Sequence, residues 1–336
     1  LIKDIIITNW DDNTNQTLLI AWGQDAIYLG NEILCDQTFT PDRPYVFYDS
    51  VLVDAGCRLT LEAGTTLLFD VNAPLLVAGQ LIALGDSTNA ITFRNSRWDA
   101  NYRIAPGQWP GIHFLVGSQN NLLDYVIIEN AITGITIGNP DEDTLADLTL
   151  KHSIIRHTSQ IGLAAYSSDI VAENLLIMNS GSSNLVNAAG GFYHYNHCTF
   201  VNTPNLFYSS DPVAIFTNHL TLSDQSKISE YLYLILQNSI IWGSSDNDLL
   251  LSNDEKTGWS SSVDHNFIHS NNQLNDNFVV SDSLISLFVD IENYNYELDS
   301  GSVVIDLGQS SYVRDDLRGR LRDEQPDLGA FEKQNP

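Results

Sequence analysis

The chain has 336 residues, 42 Asp+Glu against 15 Lys+Arg, a net charge of −27 and 43% hydrophobic residues. So acidic a surface repels polyanions and argues against nucleic acid as a partner. The apolar content is enough for a sizeable core, in one large β domain or two smaller ones, and speaks against disorder. No run of 18 or more apolar residues occurs, so no segment reads as a membrane-spanning helix.

Residues 1–30 begin with "LIKDIIITNW", a polar turn "DDNTNQ" and "TLLIAWGQDAIYLG". This pattern predicts a β-hairpin whose register does not match the strand runs beyond residue 30, the tail of a separate β domain or a unit that docks on its neighbour. From residue 31 to 299 the strand-like runs are short: "RLTL", "TTLLF", "PLLVAG", "LIALG", "ITF" and "GIHFLVG", separated by Gly, Asn, Asp and Ser. Long helical periodicity is absent. Between two of these runs the insertion "RNSRWDANYRIAPGQWPG" carries Trp98, Tyr102 and Trp109, the candidate ligand-binding rings. The ordinary alternative is that they pack over an apolar face.

Further along, "DYVIIEN" (124–130), "KHSIIRH" (151–157), "ENLLIMN" (173–179), "NHCTFVN" (196–202) and "QNSIIWG" (237–243) align without gaps, their last residues 27, 22, 23 and 41 positions apart. One strand motif per unit, at spacings in the low twenties with insertions, predicts a parallel β-helix. Asn130, Asn179 and Asn202 then share one corner, and are read as a structural ladder that tolerates left-handed backbone. Alternation places Val126 and Ile128, Ser153 and Ile155, Leu175 and Ile177, Cys198 and Phe200, and Ser239 and Ile241 in the lumen. The opposite face, Ile127, Ile154, Leu176, Thr199 and Ile240, is also mostly apolar, as in a parallel sheet covered on both sides.

Glu129 and Arg156 fall on equivalent outward positions, about 4.8 Å apart as a cross-strand pair. They are the candidates for catalysis if there is any, but the chain shows no convincing catalytic constellation. Lys151, His152, Arg156 and His157 form the one basic cluster of the coils. "DED" (141–143) and "DND" (246–248) are acidic loops with the oxygen donors that Ca²⁺ takes, yet without EF-hand or nonapeptide spacing, so they are read as solvated loops. No metal or other cofactor is expected, with Ca²⁺ left open. His194 and His197 fall on opposite faces and do not suit a shared ion. Cys35, Cys57 and Cys198 read as small buried hydrophobes, a Cys35–Cys57 disulfide remaining open.

The segment 300–336 begins with "SGSVVIDLG", read as a last strand, and continues with "RDDLRGRLRDEQPDLGAFE", in which Arg314, Arg318, Arg320 and Arg322 are interleaved with acids. Arg318, Arg320 and Asp327 are assigned to a cap over the end of the stack, with at least one arginine partly buried.

The run "VLVDAGCRLTLEAGTTLLFDVNAPLLVAGQLIALGDSTNAITFRNS" (51–96), followed by "PGQWPGIHF", resembles the opening coils of exported right-handed parallel β-helix repeat proteins of Bacteroidota, many of them predicted lipoproteins. "GQDA", "GGFYHYNHCTFVN" and "LRGRLRDEQPDLGAFE" extend that resemblance over nearly the whole chain. It implies an all-β, right-handed parallel β-helix, an immunoglobulin-like domain ending near "GQDA", a cell-surface or outer-membrane location, and a lipid anchor on a cysteine outside these residues. It implies no activity. The favoured expectation is a non-enzymatic cell-surface lipoprotein, a binding or assembly subunit meeting other outer-membrane or surface proteins through the outward apolar column. The alternatives are a polysaccharide lyase, a glycoside hydrolase, or a glycan-binding protein using Trp98 and Trp109.

Overall fold

The computed structural model describes every residue except 1, 12, 22, 24, 98, 142, 203–208, 273, 275, 281–285 and 335–336. Short strands joined by turns repeat three to a coil and stack into three parallel sheets. Sheet A has nine strands, from Glu32–Leu34 to Leu249–Ser252; sheet B has nine, from Gln37–Phe39 to Trp259–Asp264; sheet C has eleven, from Ile27–Leu29 to Phe278–Val280. The chain is thus a parallel β-helix, with no α-helix among the described residues.

The five aligned motifs are consecutive strands of sheet C in the expected register. Ile127 pairs with Ile154, Ile154 with Leu176, Leu176 with Thr199, and Thr199 with Ile240. Val126, Ile128, Ile155, Leu175, Ile177, Cys198, Phe200 and Ile241 all lie in the lumenal core. The two serines in that column suit a dry interior because their hydroxyls meet the backbone: Ser153 Oγ accepts from Val126 N–H and donates to Lys151 O, and Ser239 Oγ accepts from Cys198 N–H. In the early coils the lumen holds a stack of rings, with Phe69 4.5 Å from Phe47 and 4.1 Å from Trp109.

Corners between the sheets need left-handed backbone, and the sequence supplies residues that tolerate it. At the B-to-C corner Tyr125, His152, Asn174, His197, Asn238 and His265 have φ between 42° and 52°. They are the second residues of the aligned motifs, extended by one coil. At the C-to-A corner Asn130, His157 and Asn179 have φ of 67°, 55° and 58°. Asn and His are several-fold enriched in this conformation.

From Ile154 onward the outward column of sheet C is covered, while Ile127 is half-buried at the groove beside the strap. Residues 287–331 fold back along the flank of the stack and bury Leu176, Met178, Val201, Ile240, Trp242 and Phe267 against Leu287, Phe288, Tyr296, Leu298, Val304, Leu317, Leu328, Ala330 and Phe331, making a second apolar core. Polar contacts fix the strap to the corner residues. Asp315 meets His152, Asn174 Nδ2 donates to Asp315 O, Asn238 exchanges hydrogen bonds with Gln309, and Gly329 N–H donates to Asn238 O. Ala330 N–H donates to Thr199 Oγ1 in the outward column itself.

Three expectations change accordingly. From Ile154 to Ile240 the outward column packs into an internal core and is not a partner surface. The segment 300–308 is a run of turns and not a strand. The Arg/Asp-rich segment lies along the side of the coils and not over their end. Ile27–Leu29, within the stretch assigned to the preceding unit, pairs with Tyr45–Phe47 and so belongs to sheet C. Before it, Ile2–Trp10 and Asn13–Ala21 form the antiparallel hairpin, with Asp11 at φ 47° in the turn. Cys35 and Cys57 occupy the same corner on successive coils and form a disulfide, while Cys198 is a buried free thiol.

Candidate functional site

Glu129 and Arg156 stand opposite each other in sheet C, and the Arg156 guanidinium reaches Glu129 Oε2 at 2.6 and 2.8 Å. Arg94 adds a second guanidinium 3.6 Å from Glu129 Oε1. The carboxylate is buried and held by two cations, so its lone pairs serve the fold. Arg156 also lines a groove of about 400 Å³ between sheet C and the strap, with Tyr125, His152, Tyr294 and Arg318. There His152 stacks on Tyr125 at 4.4 Å and bonds Asp124 and Asp315 at 2.8 and 3.2 Å. Burial opposes its charge most strongly, but the two carboxylates outweigh burial and its pKa lies above the usual histidine value. Each of these groups has a partner within the protein, Arg156 on Glu129, His152 on Tyr125 and the two aspartates, Tyr294 on His157 and Arg318 on Glu297, which is the arrangement of a docking seam.

The expected ligand-binding rings separate. Trp109 is fully buried in the lumen, stacked on Phe69, with Nε1 donating to Glu129 O at 2.9 Å, so it supports the core and cannot meet a ligand. Tyr102 lies under Arg97, whose guanidinium carbon is 3.4 Å from the ring centre. Trp98 lies outside the described residues.

Two of the three corner asparagines turn their amides to backbone. Asn130 donates to Arg103 O and Ala105 O, and Asn202 donates to Ser180 O and Ser182 O while accepting from Ser180 N–H. Asn179 Oδ1 accepts from Tyr296 Oη of the strap.

In the strap, Arg318 is more than half exposed and pairs with Glu297, while Arg320 is partly buried on Asp316. Asp327 is buried and accepts from Asp306 N–H and Lys333 N–H. The deeply buried arginine is Arg322, which bonds Glu332 Oε2, Asn174 Oδ1, Asp315 O and Gly329 O at 2.8–3.0 Å. Its spacing in the sequence did not distinguish it from its three neighbours.

A different place gathers chemistry that nothing else uses. Leu148 pairs with Ile170 and Ile170 with Tyr193, so Asp147, Asp169 and Phe192 precede equivalent positions at the entry to sheet B. Phe192 in turn pairs with Tyr233, and the two rings stack at 5.3 Å and 11°. The loop entering sheet B from Gly138 brings Asp141 and Asp143 beside Asp169, one carboxylate oxygen of each lying within 4.8 Å of the others. Asp141, Asp143, Asp169, Phe192 and Tyr233, together with Tyr231 and Glu230, line a pocket of about 260 Å³.

The acids lining this pocket and Asp147 beside them differ in how far they are satisfied. Asp147 is buried and accepts from Asn139 Nδ2 and from Asp169 N–H. Asp169 Oδ1 accepts from Phe192 N–H at 2.7 Å, but Oδ2 is buried without a hydrogen-bond partner. Burial, then the charges of Asp147, Asp141 and Asp143, push Asp169 up to about 7 against the pull of the Phe192 amide. Burial likewise raises Asp147. Among the described residues no salt bridge reaches any of these four carboxylates. Of this site the sequence showed "DED" alone; Asp169 and Phe192, 23 residues apart, carry no local motif. The other acidic loop, "DND", turns its Asp248 inward to cap Gly243 N–H and hold His269 at 2.7 Å.

The fold and this pocket define a parallel β-helix protein with an acidic, aromatic-lined cavity on one corner. No family model matches the chain. Protein bark beetle of Drosophila melanogaster is 36% identical over 76 residues, which are 22% of this chain and 2% of that protein's length. Among solved structures, pectate lyase Pel9A aligns over 94% of this chain and 85% of its own at 13% identity, with a TM-score of 0.34.

Proposed function

We propose that the chain is an exported β-helix that binds carbohydrate in the pocket between the loop at 139–144 and the Phe192–Tyr233 pair. The observation that carries this reading is that ring pair, stacked at the rim of a cavity whose opposite wall is carboxylate. Aromatic faces cover the C–H face of a sugar ring, and unprotonated carboxylates accept from its hydroxyls. Tyr231 and Tyr233 are 55% and 39% exposed, so the rings are accessible. Among the described residues no Lys, Arg or His lines the cavity, so its described walls hold no group that would neutralise a uronate anion during elimination. Binding without cleavage therefore fits the site better than lyase chemistry. The Cys35–Cys57 disulfide supports an oxidising compartment and, with it, export to the cell surface.

The test is retention of neutral and uronate-containing polysaccharides on immobilised protein. Retention by the wild type, lost in Phe192→Ala and Tyr233→Ala with melting temperature intact, is expected. Unchanged retention in both variants refutes this site, and release of unsaturated products replaces binding by catalysis.

An assembly role is a second reading, favoured by one observation: Ile5, Ile6, Ile7, Trp10, Leu18 and Leu19 of the hairpin are each about half exposed, on both of its faces. Outer-membrane or surface proteins are the partners it implies. Co-purification from detergent extracts that is lost on replacing Ile5 and Ile7 by Ser supports it; a protein that always runs alone removes it.

A further inference from the structure

We propose that Asp141, Asp143 and Asp169 form a Ca²⁺ site. Three observations carry the proposal, and none of them needs a sugar in the pocket.

Geometry comes first. A Ca²⁺ ion takes six to eight oxygen ligands at about 2.3–2.6 Å, so any two of its ligands lie within roughly 5 Å of each other. The three carboxylates meet that condition mutually, at 4.8 Å or less. They come from two separate segments, the loop entering sheet B and the next rung of that sheet, so the stacking of coils holds them together.

The second observation is the unmatched oxygen. Asp169 is only 5% exposed, and among the described residues its Oδ2 has neither a hydrogen-bond donor nor a cationic partner. A buried carboxylate oxygen left in that state is strongly unfavourable unless it is protonated or holds a cation. The neighbours of this group on every packed element are anionic or neutral: Asp141 and Asp143 on the loop, Asp147 on the preceding rung, Phe192 on the following one, and Glu230 and Tyr231 across the pocket. Among the described residues the protein supplies no cation of its own here.

The third is the orientation of the ligands. Asn139 donates one amide hydrogen to Asp141 Oδ2 and the other to Asp147 Oδ1, while its Oδ1 accepts from Gly117 N–H. Asp141 Oδ1 accepts from Asp143 N–H, and Asp143 Oδ1 from Leu145 N–H. Each carboxylate is thus fixed in place and keeps lone pairs free for an ion. Oxygen-only donors, loop-borne ligands and a cavity roomy enough for several waters favour Ca²⁺ over Mg²⁺, which demands a tight octahedron, and over zinc, which takes nitrogen or sulfur.

The test uses the whole chain stripped with chelator, and the metal alone. Calorimetric titration with CaCl₂ is expected to show one site with Kd of about 10⁻⁵–10⁻³ M, and added Ca²⁺ to raise the melting temperature. Tb³⁺ emission excited through tyrosine is expected to appear and to be displaced by Ca²⁺, since Tyr231 and Tyr233 line the same cavity. Asp169→Asn keeps an acceptor for Phe192 N–H and removes the charge; Asp143→Asn changes an exposed loop residue and leaves folding unaffected. Loss of the calorimetric signal and the Tb³⁺ emission in both variants supports the site. Absence of heat and of thermal shift at millimolar Ca²⁺, or unchanged affinity in either variant, overturns it.

Discussion

Replacing Arg322 by alanine is the sharpest test of the strap. Its side chain is 2% exposed, and its pairing partner Glu332 is 3% exposed. Alanine at 322 leaves the Glu332 carboxylate buried without its cation and removes the donor to Asn174 Oδ1, Asp315 O and Gly329 O. Removing one partner of a buried, hydrogen-bonded ion pair destabilises by about 3–5 kcal/mol. Glu332 retains the Asp323 and Asp327 amides as donors, which places the expected loss toward the lower half of that range. The assay is chemical denaturation of Arg322→Ala, Glu332→Gln and the double variant, with limited proteolysis of residues 300–330. If the strap detaches first, cleavage there precedes unfolding of the coils, because the two cores are separate clusters. The double variant should lose less than the sum of the singles. A loss below about 1 kcal/mol for Arg322→Ala, the value of an exposed pair, with no new cleavage, refutes the claim that this guanidinium anchors the strap.

Arg318→Ala, which opens a pair at a largely exposed guanidinium, should change stability by less than about 1 kcal/mol in the same assay. Trp109→Ala should destabilise by about 3–5 kcal/mol and leave glycan retention per folded molecule unaltered, as its ring fills the lumen. The His152 contact with Asp315 is a pH-dependent clasp. Because the folded pKa is raised, its contribution is fully present below the unfolded value near 6.5 and is lost as pH rises through the folded value. Protection of the strap amides, measured against their intrinsic exchange rates, should therefore fall above that point in the wild type and not in His152→Gln. Reduction of Cys35–Cys57, which closes a loop of 22 residues, should lower stability by about 3 kcal/mol and be reproduced by Cys57→Ser.

Much of the coil was legible in the residues. The five aligned motifs gave the register of sheet C because strand alternation has a period of two and a slip of one would expose every lumenal side chain. The same alignment holds a further signal: its second column, Tyr125, His152, Asn174, His197 and Asn238, is a row of left-handed corners onto which the strap docks. Trp109 was misplaced because an aromatic in a Gly- and Pro-rich insertion looks exposed, and only the position of Phe69 beneath it makes it a core residue. Asp169 offered no motif, being one acid in a chain with 42.

What the sequence determined by itself is the repeating part: the all-β character, the stack of parallel coils, the lumenal column and the need for sheet C to be covered on both faces. These follow from steric alternation and turn preferences, which act over a few residues and recur with each rung. The tertiary structure alone decided what supplies the cover and where the chemistry collects. The strap belongs to the same chain, with Asp315 163 residues from the His152 it bonds, and the three aspartates meet because rungs that are 22 residues apart along the chain lie side by side in the stack. Such contacts have no period, since they depend on the sum of many side chains finding complementary neighbours after the coils have formed.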